Sequence, residues 1–145
     1  MLGELSEEEI QQVLSANSIG RIGYTDGDEL FIIPVHYRYE KNAVMCYSLE
    51  GHKIEMMRRH PAVCFQVEEI QNPDHWKCVL IHGIYEEIRD REELQQIRPQ
   101  YTEYFIRRRL SRTAVPATAA TDLPEQVFYR IHFKKMSGRF EIGFF

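Results

Sequence analysis

Phe31-Ile32-Ile33-Pro34-Val35-His36-Tyr37 and, beyond a turn, Tyr47-Ser48-Leu49-Glu50-Gly51-His52-Lys53 form the stretch that decides how this chain folds. Apolar residues alternate from Leu30 to Tyr39, the mark of a strand. Glu40-Lys41-Asn42 turns the chain, and Ala43 to Ser48 supplies a second strand. Gly51 to His60 then reads as a short helix that ends at Pro61, since proline disfavours helical backbone in the residue before it. A β-ribbon thus hands over directly to a helix N-terminus. The first turn of a helix carries unpaired backbone N–H groups and partial positive charge, and normally attracts carboxylates. Here it opens with His52 and Lys53, close behind the hydroxyl of Ser48. Cations in that turn oppose the dipole by about 0.3–1 kcal/mol. A charge-assisted hydrogen bond to an anion is worth about 1.5–3 kcal/mol. The corner is therefore expected to hold a phosphate, with Lys53 as the clamp and Ser48 and His52 beside it. The plainer alternative is a surface lysine at a solvated helix start.

Alternation also sorts the faces of the first strand. Phe31, Ile33, Val35, Tyr37 and Tyr39 lie on one side and suit a barrel interior. Ile32, Pro34, His36 and Arg38 lie on the other, too mixed for core and too apolar for solvent, which fits a ligand or a subunit interface. Pro34 cannot donate to a ladder, so backbone groups near it are left to bond a flat heterocycle. A proline defending an edge strand against aggregation fits equally well.

Outward from this centre, Ser6-Glu7-Glu8-Glu9 is a capping box. It opens a helix with Ile10, Val13 and Leu14 on one face and Asn17 at its end. Ile19 to Thr25 reads as a strand, and Asp26-Gly27 as a hairpin signal. Ala62 to Ile70 is a strand, Gln71-Asn72-Pro73-Asp74 a loop, and Trp76 to Ile88 a long strand whose Gly83 predicts a bulge or a close approach. Asp90 to Leu110 is helical in pattern, broken or kinked near Pro99. Residues 111–124, rich in Thr, Ala and Pro, read as a surface loop. Val127 to Phe133 alternates again, and Met136-Ser137-Gly138-Arg139 is expected to turn the chain back into a last strand, Phe140 to Phe144. About seven strands, mostly joined by hairpins, and three helical segments predict a mainly β protein, an antiparallel barrel rather than a doubly wound sheet.

A length of 145 residues fits one domain over 1–145. The net charge of −4 argues against a nucleic-acid binder. Arg107-Arg108-Arg109 with Arg112 reads as a solvated helix end or a subunit contact. No apolar run approaches the roughly 18 residues of a membrane span. The N-terminus lacks a signal-peptide layout, so a cytoplasmic protein is expected. Cys46, Cys64 and Cys78 fall in strand-like runs and read as buried thiols, not as a disulfide framework. The six histidines form no H-x-x-x-H or H-E-x-x-H pair, so no metal site is expected. Gly20-Arg21-Ile22-Gly23 lies at a strand, outside the context of a dinucleotide fingerprint. Gly-x-Ser-x-Gly is absent.

Several stretches together resemble the FMN-binding split barrels, the superfamily of the pyridoxamine 5′-phosphate oxidases. They are Gly20 to Gly23, Ile33 to Tyr37, Tyr47-Ser48 with Gly51-His52-Lys53, and Met57-Arg58-Arg59-His60-Pro61-Ala62-Val63-Cys64-Phe65. Trp76, His82-Gly83 and Met136 to Arg139 extend the likeness, which is nearest to the small nitroimidazole-resistance (Nim-type) branch. The resemblance implies a homodimer with two FMN molecules in clefts between subunits, acting as a flavin-dependent oxidoreductase on a small molecule. It implies backbone contacts to the isoalloxazine from Pro34, Val35, His36 and Tyr37, and a phosphate held by Ser48, His52 and Lys53. Tyr47 would flank the ring or fill core. Arg21 would reach the phosphate or pair with a carboxylate. Trp76 would close the site from the second subunit or serve as a core anchor. His36 is the candidate for a catalytic hydrogen bond, although a lone strand histidine is more often structural. Vitamin B6 oxidase chemistry is disfavoured, because that enzyme carries a Trp and an Arg near its C-terminus. Here the single Trp is Trp76 and the chain ends Arg139-Phe140-Glu141-Ile142-Gly143-Phe144-Phe145. The alternative class is a non-catalytic flavin- or haem-binding module.

Overall fold

A computed structural model describes residues 1–108 and 126–143. The expected loop at 111–124 and the end of the last strand lie outside them. Helix α1 (Glu7–Ala16) starts as predicted: Glu9 N–H donates to the Ser6 hydroxyl at 3.2 Å, and Ser6 N–H donates to the Glu9 carboxylate at 3.0 Å. Asn17 ends it, donating to the Val13 carbonyl at 2.8 Å and to Glu69 at 2.7 Å. Strands β2 (Ile19–Thr25) and β3 (Leu30–His36) form a hairpin. Its turn is held by Asp26, whose carboxylate accepts from Asp28 and Glu29 N–H, and by Gly27 at φ +102°.

The chain continues through β4 (Arg38–Glu40), β5 (Ala43–Leu49), α2 (His52–Arg59), β6 (Ala62–Asn72), β7 (His75–Glu87), α3 (Arg91–Arg107) and β8 (Gln126–Ile142). A short β1 (Leu2–Glu4) pairs with β8. The eight described strands make one antiparallel sheet, seven of them in the order β3-β2-β6-β7-β8-β5-β4 with β1 beside β8, curled as a split barrel. Its two edge strands, β3 and β4, are consecutive in sequence and meet at Tyr37. That residue leaves the ladder: its N–H donates to the Ser18 carbonyl at 2.9 Å and its hydroxyl to the Leu14 carbonyl at 2.7 Å. The expected strand from Leu30 to Tyr39 is therefore two strands. The split between β3 and β5 leaves one side of β3 without a ladder.

The faces follow the alternation. Phe31, Ile33, Val35, Tyr37 and Tyr39 pack with Ile22, Val44, Cys46, Phe65, Ile81 and Tyr129 in the barrel core. A second layer lies under α3, where Met45 and Phe128 meet Ile97, Tyr101 and Phe105.

Two further expectations are corrected, and a third is met. Met136 to Arg139 does not turn; β8 runs straight through it, paired with Ile81 to Cys78 of β7. Gly138 is there because a Cβ would lie 2.8 Å from Leu5 Cδ1 and 2.9 Å from Ile10 Cγ1, so its bare backbone admits α1 against the sheet. Helix α3 continues through Pro99 to Arg107. Gly83 meets both of its readings: the β7–β8 register shifts between His82 and Gly83, and a Cβ there would sit 2.5 Å from the His132 carbonyl oxygen.

Candidate functional site

The corner between β5 and α2 is built by alternation. Val44 and Cys46 point into the barrel, Met45 and Tyr47 under α3. Tyr47 packs there at 5.2 Å from Phe128 and 6.2 Å from Tyr101, ring centre to ring centre, so it fills the second layer. Ser48 follows on the barrel side, and its hydroxyl donates to the Leu49 carbonyl at 2.8 Å. Gly51 is the N-cap of α2, with extended backbone (φ 169°) and no side-chain cap. Apart from its chain neighbours, none of the described residues lies within 4 Å of the place its Cβ would take. The N-terminus of α2 is thus open.

Lys53 stands in the first turn and is half-buried. Burial lowers its ammonium below the usual lysine range. Its neighbour Cys46 has a thiol that burial pushes up to about 12, so the thiol supplies no counter-charge at neutral pH. Among the described residues, no carboxylate pairs with Lys53. His52 is engaged instead: its Nδ1 lies 3.0 Å from the Tyr24 hydroxyl, and its ring stands edge-on to Phe31 at 5.1 Å. Tyr24 and Phe31 stack at 5.1 Å. This aromatic group ties α2 to the β2–β3 hairpin and leaves His52 to offer its backbone N–H.

On β3, Val35 is buried in the core, and so is Tyr37 just beyond it, while Pro34 is exposed. His36 is half-buried and stands edge-on to Phe105 at 6.0 Å. Its Nδ1 is buried without a hydrogen-bond partner among the described residues, and burial lowers its pKa, which favours the neutral imidazole.

Arg21 lies opposite Pro34 in the β2–β3 ladder and forms an ion pair with Glu68. The Trp76 indole donates to Glu141 at 3.1 Å, at the β7–β8 end beside β1. The structure therefore gathers Ser48, His52 and Lys53 at one corner and gives Arg21 and Trp76 carboxylate partners elsewhere. Sequence reasoning missed the Tyr24–Phe31–His52 group and the grip of Arg58 on Glu50 and Glu87. It also missed an apolar groove of about 520 Å³ on the outer sheet face, lined by Gly23, Ile32, Ala62, Cys64, Ile84 and Lys134 among others. The outward Ile32 was the available signal for that groove.

A helix start without a side-chain cap and a cation with no carboxylate partner among the described residues fit an anion, and the split edge of β3 fits a planar group beside it. Comparison with known proteins agrees with the architecture. Residues 6–140 match the profile of a family described as pyridoxamine 5′-phosphate oxidase. The chain belongs to that family. An FAD-binding protein of Mesorhizobium loti is 29% identical and superposes with a TM-score of 0.82, over 97% of this chain and 98% of that one. A protein of Bacteroides thetaiotaomicron described as a 5-nitroimidazole antibiotic-resistance protein shares the fold, with a TM-score of 0.72 at 18% identity over 97% of this chain and 87% of that one. An uncharacterised protein of Rhizobium meliloti strain 1021 is 34% identical over 84 residues, 58% of this chain and 56% of its own length. No described helix is long and apolar enough to cross a membrane.

Proposed function

We propose that this member of the pyridoxamine 5′-phosphate oxidase family binds FMN as a homodimer and works as a flavin-dependent oxidoreductase on a small-molecule acceptor. The observation that carries the reading is Lys53: a half-buried cation without a carboxylate partner among the described residues, in the first turn of a helix whose cap is open. Burying a charge without a counter-charge is costly, and a phosphate dianion supplies one.

In this reading, Lys53 Nζ, the Ser48 hydroxyl and the N–H groups of the first α2 turn hold the phosphate. The free side of β3 from Pro34 to His36 offers backbone groups to the isoalloxazine, Tyr37 beyond it having given its N–H to Ser18, and neutral His36 stands ready to exchange a hydrogen bond at its edge. Arg21 stays with Glu68. Trp76 of a second copy covers the site. The flavin, when bound, supplies the electron transfer; the chain orients it, neutralises its tail and keeps water from one face. Similarity to the FAD-binding Mesorhizobium loti protein supports a flavin. One helix N-terminus and one lysine suit the terminal phosphate of FMN better than the pyrophosphate of FAD, which continues into adenosine.

The dimer is supported by Leu30 and Ile32, which are 84% and 73% exposed beside the apolar groove. Apolar surface of this kind commonly marks an interaction site.

Mass spectrometry of the ligand released from freshly purified protein tests the cofactor. FMN is expected; haem, or no ligand with no FMN uptake on titration, would overturn the assignment. Stopped-flow mixing with NADH and NADPH tests catalysis. Bleaching of the flavin band and its return on adding a quinone or nitroaromatic acceptor is expected, whereas a bound flavin inert to both donors would leave a non-catalytic module.

A further inference from the structure

Arg58 sits in the last turn of α2, yet it pairs with a residue that precedes the helix. Its Nη1 and Nη2 donate to the two oxygens of Glu50 at 2.9 and 2.6 Å. Its Nε and Nη2 also donate to Glu87 at 2.7 and 3.1 Å, and the Tyr85 hydroxyl donates to Glu87 at 2.8 Å. One guanidinium therefore fixes two carboxylates, one at the end of β7 and one in the β5–α2 connection.

The position of Glu50 makes this consequential. It immediately precedes Gly51, the N-cap of α2. A carboxylate there is ordinarily drawn to the helix N-terminus, whose partial positive charge and unpaired N–H groups attract anions. Lys53 would add to that attraction. Instead the Glu50 carboxylate is paired with Arg58 of the last turn. Side chains on a helix lean toward its N-terminus, which lets Arg58 meet Glu50 part-way. Glu55, the one acid in the first turn, is exposed.

We propose that Arg58 is a positioning residue for the anion site: it holds the Glu50 carboxylate off the N-terminus of α2, so that the phosphate of a bound ligand, and not the chain's own acid, meets Lys53. The inference rests on the reading of that corner as a phosphate site. A carboxylate tethered one residue away would compete at an effective concentration of about millimolar or above, and it would repel a phosphate nearby.

Fluorescence titration with FMN and with riboflavin, which has the same ring and no phosphate, tests this in wild type, R58Q, E50Q and R58Q/E50Q. R58Q is expected to weaken FMN about tenfold with riboflavin unchanged. E50Q alone is expected to leave FMN binding at the wild-type level, and R58Q/E50Q to recover most of the loss. R58K keeps the charge and loses the fork. It is the second probe should R58Q not fold, with a smaller loss of FMN affinity that E50Q again removes. Equal weakening of FMN and riboflavin would make Arg58 a merely structural residue and overturn the proposal, as would a double variant no better than R58Q. If wild type itself binds the two ligands equally, the phosphate reading fails and takes this inference with it. If wild type discriminates and both Arg58 variants discriminate as well, the role of Arg58 alone is refuted.

Discussion

Lys53 is costly to the empty protein. Its pKa is lowered by burial, so below that folded value the charged group carries its full desolvation penalty. The penalty is relieved as pH rises toward the ordinary lysine value of 10.5. K53M is therefore expected to raise the Tm of the apo-protein at neutral pH, measured by calorimetry; a lower Tm would mean that Lys53 has a partner in the empty state. A bound phosphate favours the charged ammonium. The ratio of FMN to riboflavin affinity should fall as pH climbs through the lowered pKa of Lys53 toward 10.5. Titrations between neutral pH and pH 10 check the sign: a ratio that is flat or rises would place the phosphate elsewhere. The placement of Lys53 in the first turn of α2, close behind Ser48, was legible in the sequence because a cation there contradicts the dipole and so draws notice. The Arg58–Glu50 pair was not, since residues eight apart share no turn and only the folded corner brings their charged groups together. Arg21 and Trp76 show the other limit: sequence gives a side chain's reach, while its partner, Glu68 or Glu141, depends on strand register.

Among the elements, α1 is set by its own residues. Ser6 caps Glu9 and Glu9 caps Ser6, so S6A should cost about 1 kcal/mol and lower Tm by about 2–4 °C, with flavin affinity unchanged. An unaltered Tm would mean that the box is redundant with the packing of Ile10, Val13 and Leu14. In the β7–β8 pair, G83A places a Cβ against the His132 carbonyl oxygen at 2.5 Å and Ile131 Cγ2 at 2.7 Å. Backbone cannot yield as a flexible side chain does, so a loss of about 1–3 kcal/mol is expected, read as a lower urea midpoint at constant slope. Helices with caps and strands with clean alternation could be read because their signals are local. Gly138 misled because a glycine that makes room for a neighbouring helix looks, in sequence, like one that makes a turn. Strand β1 was missed because three residues carry no period, and its place beside β8 is a long-range pairing.

For the whole molecule, the alternation that fills one face of each strand fixed the fold class without fixing strand order. That β3 and β4 form the two edges, meeting at Tyr37 to leave a split, comes from Tyr37 bonding Ser18 and Leu14. No pattern within β3 announces that contact. The apolar outer face of β3 gives the assembly prediction. Sedimentation equilibrium is expected to show twice the 17.2 kDa chain mass, and I32D with L30D is expected to give a folded monomer that holds flavin poorly. A wild-type monomer that binds FMN fully would show that one chain completes the site by itself.

The claim on which everything else depends is that the corner between β5 and α2 grips a phosphate through Lys53. The most direct test is equilibrium titration of wild type and K53M with FMN and riboflavin side by side. K53M is expected to lose about ten- to hundredfold in FMN affinity and nothing in riboflavin affinity. A K53M protein that still prefers FMN as strongly as wild type does would contradict it.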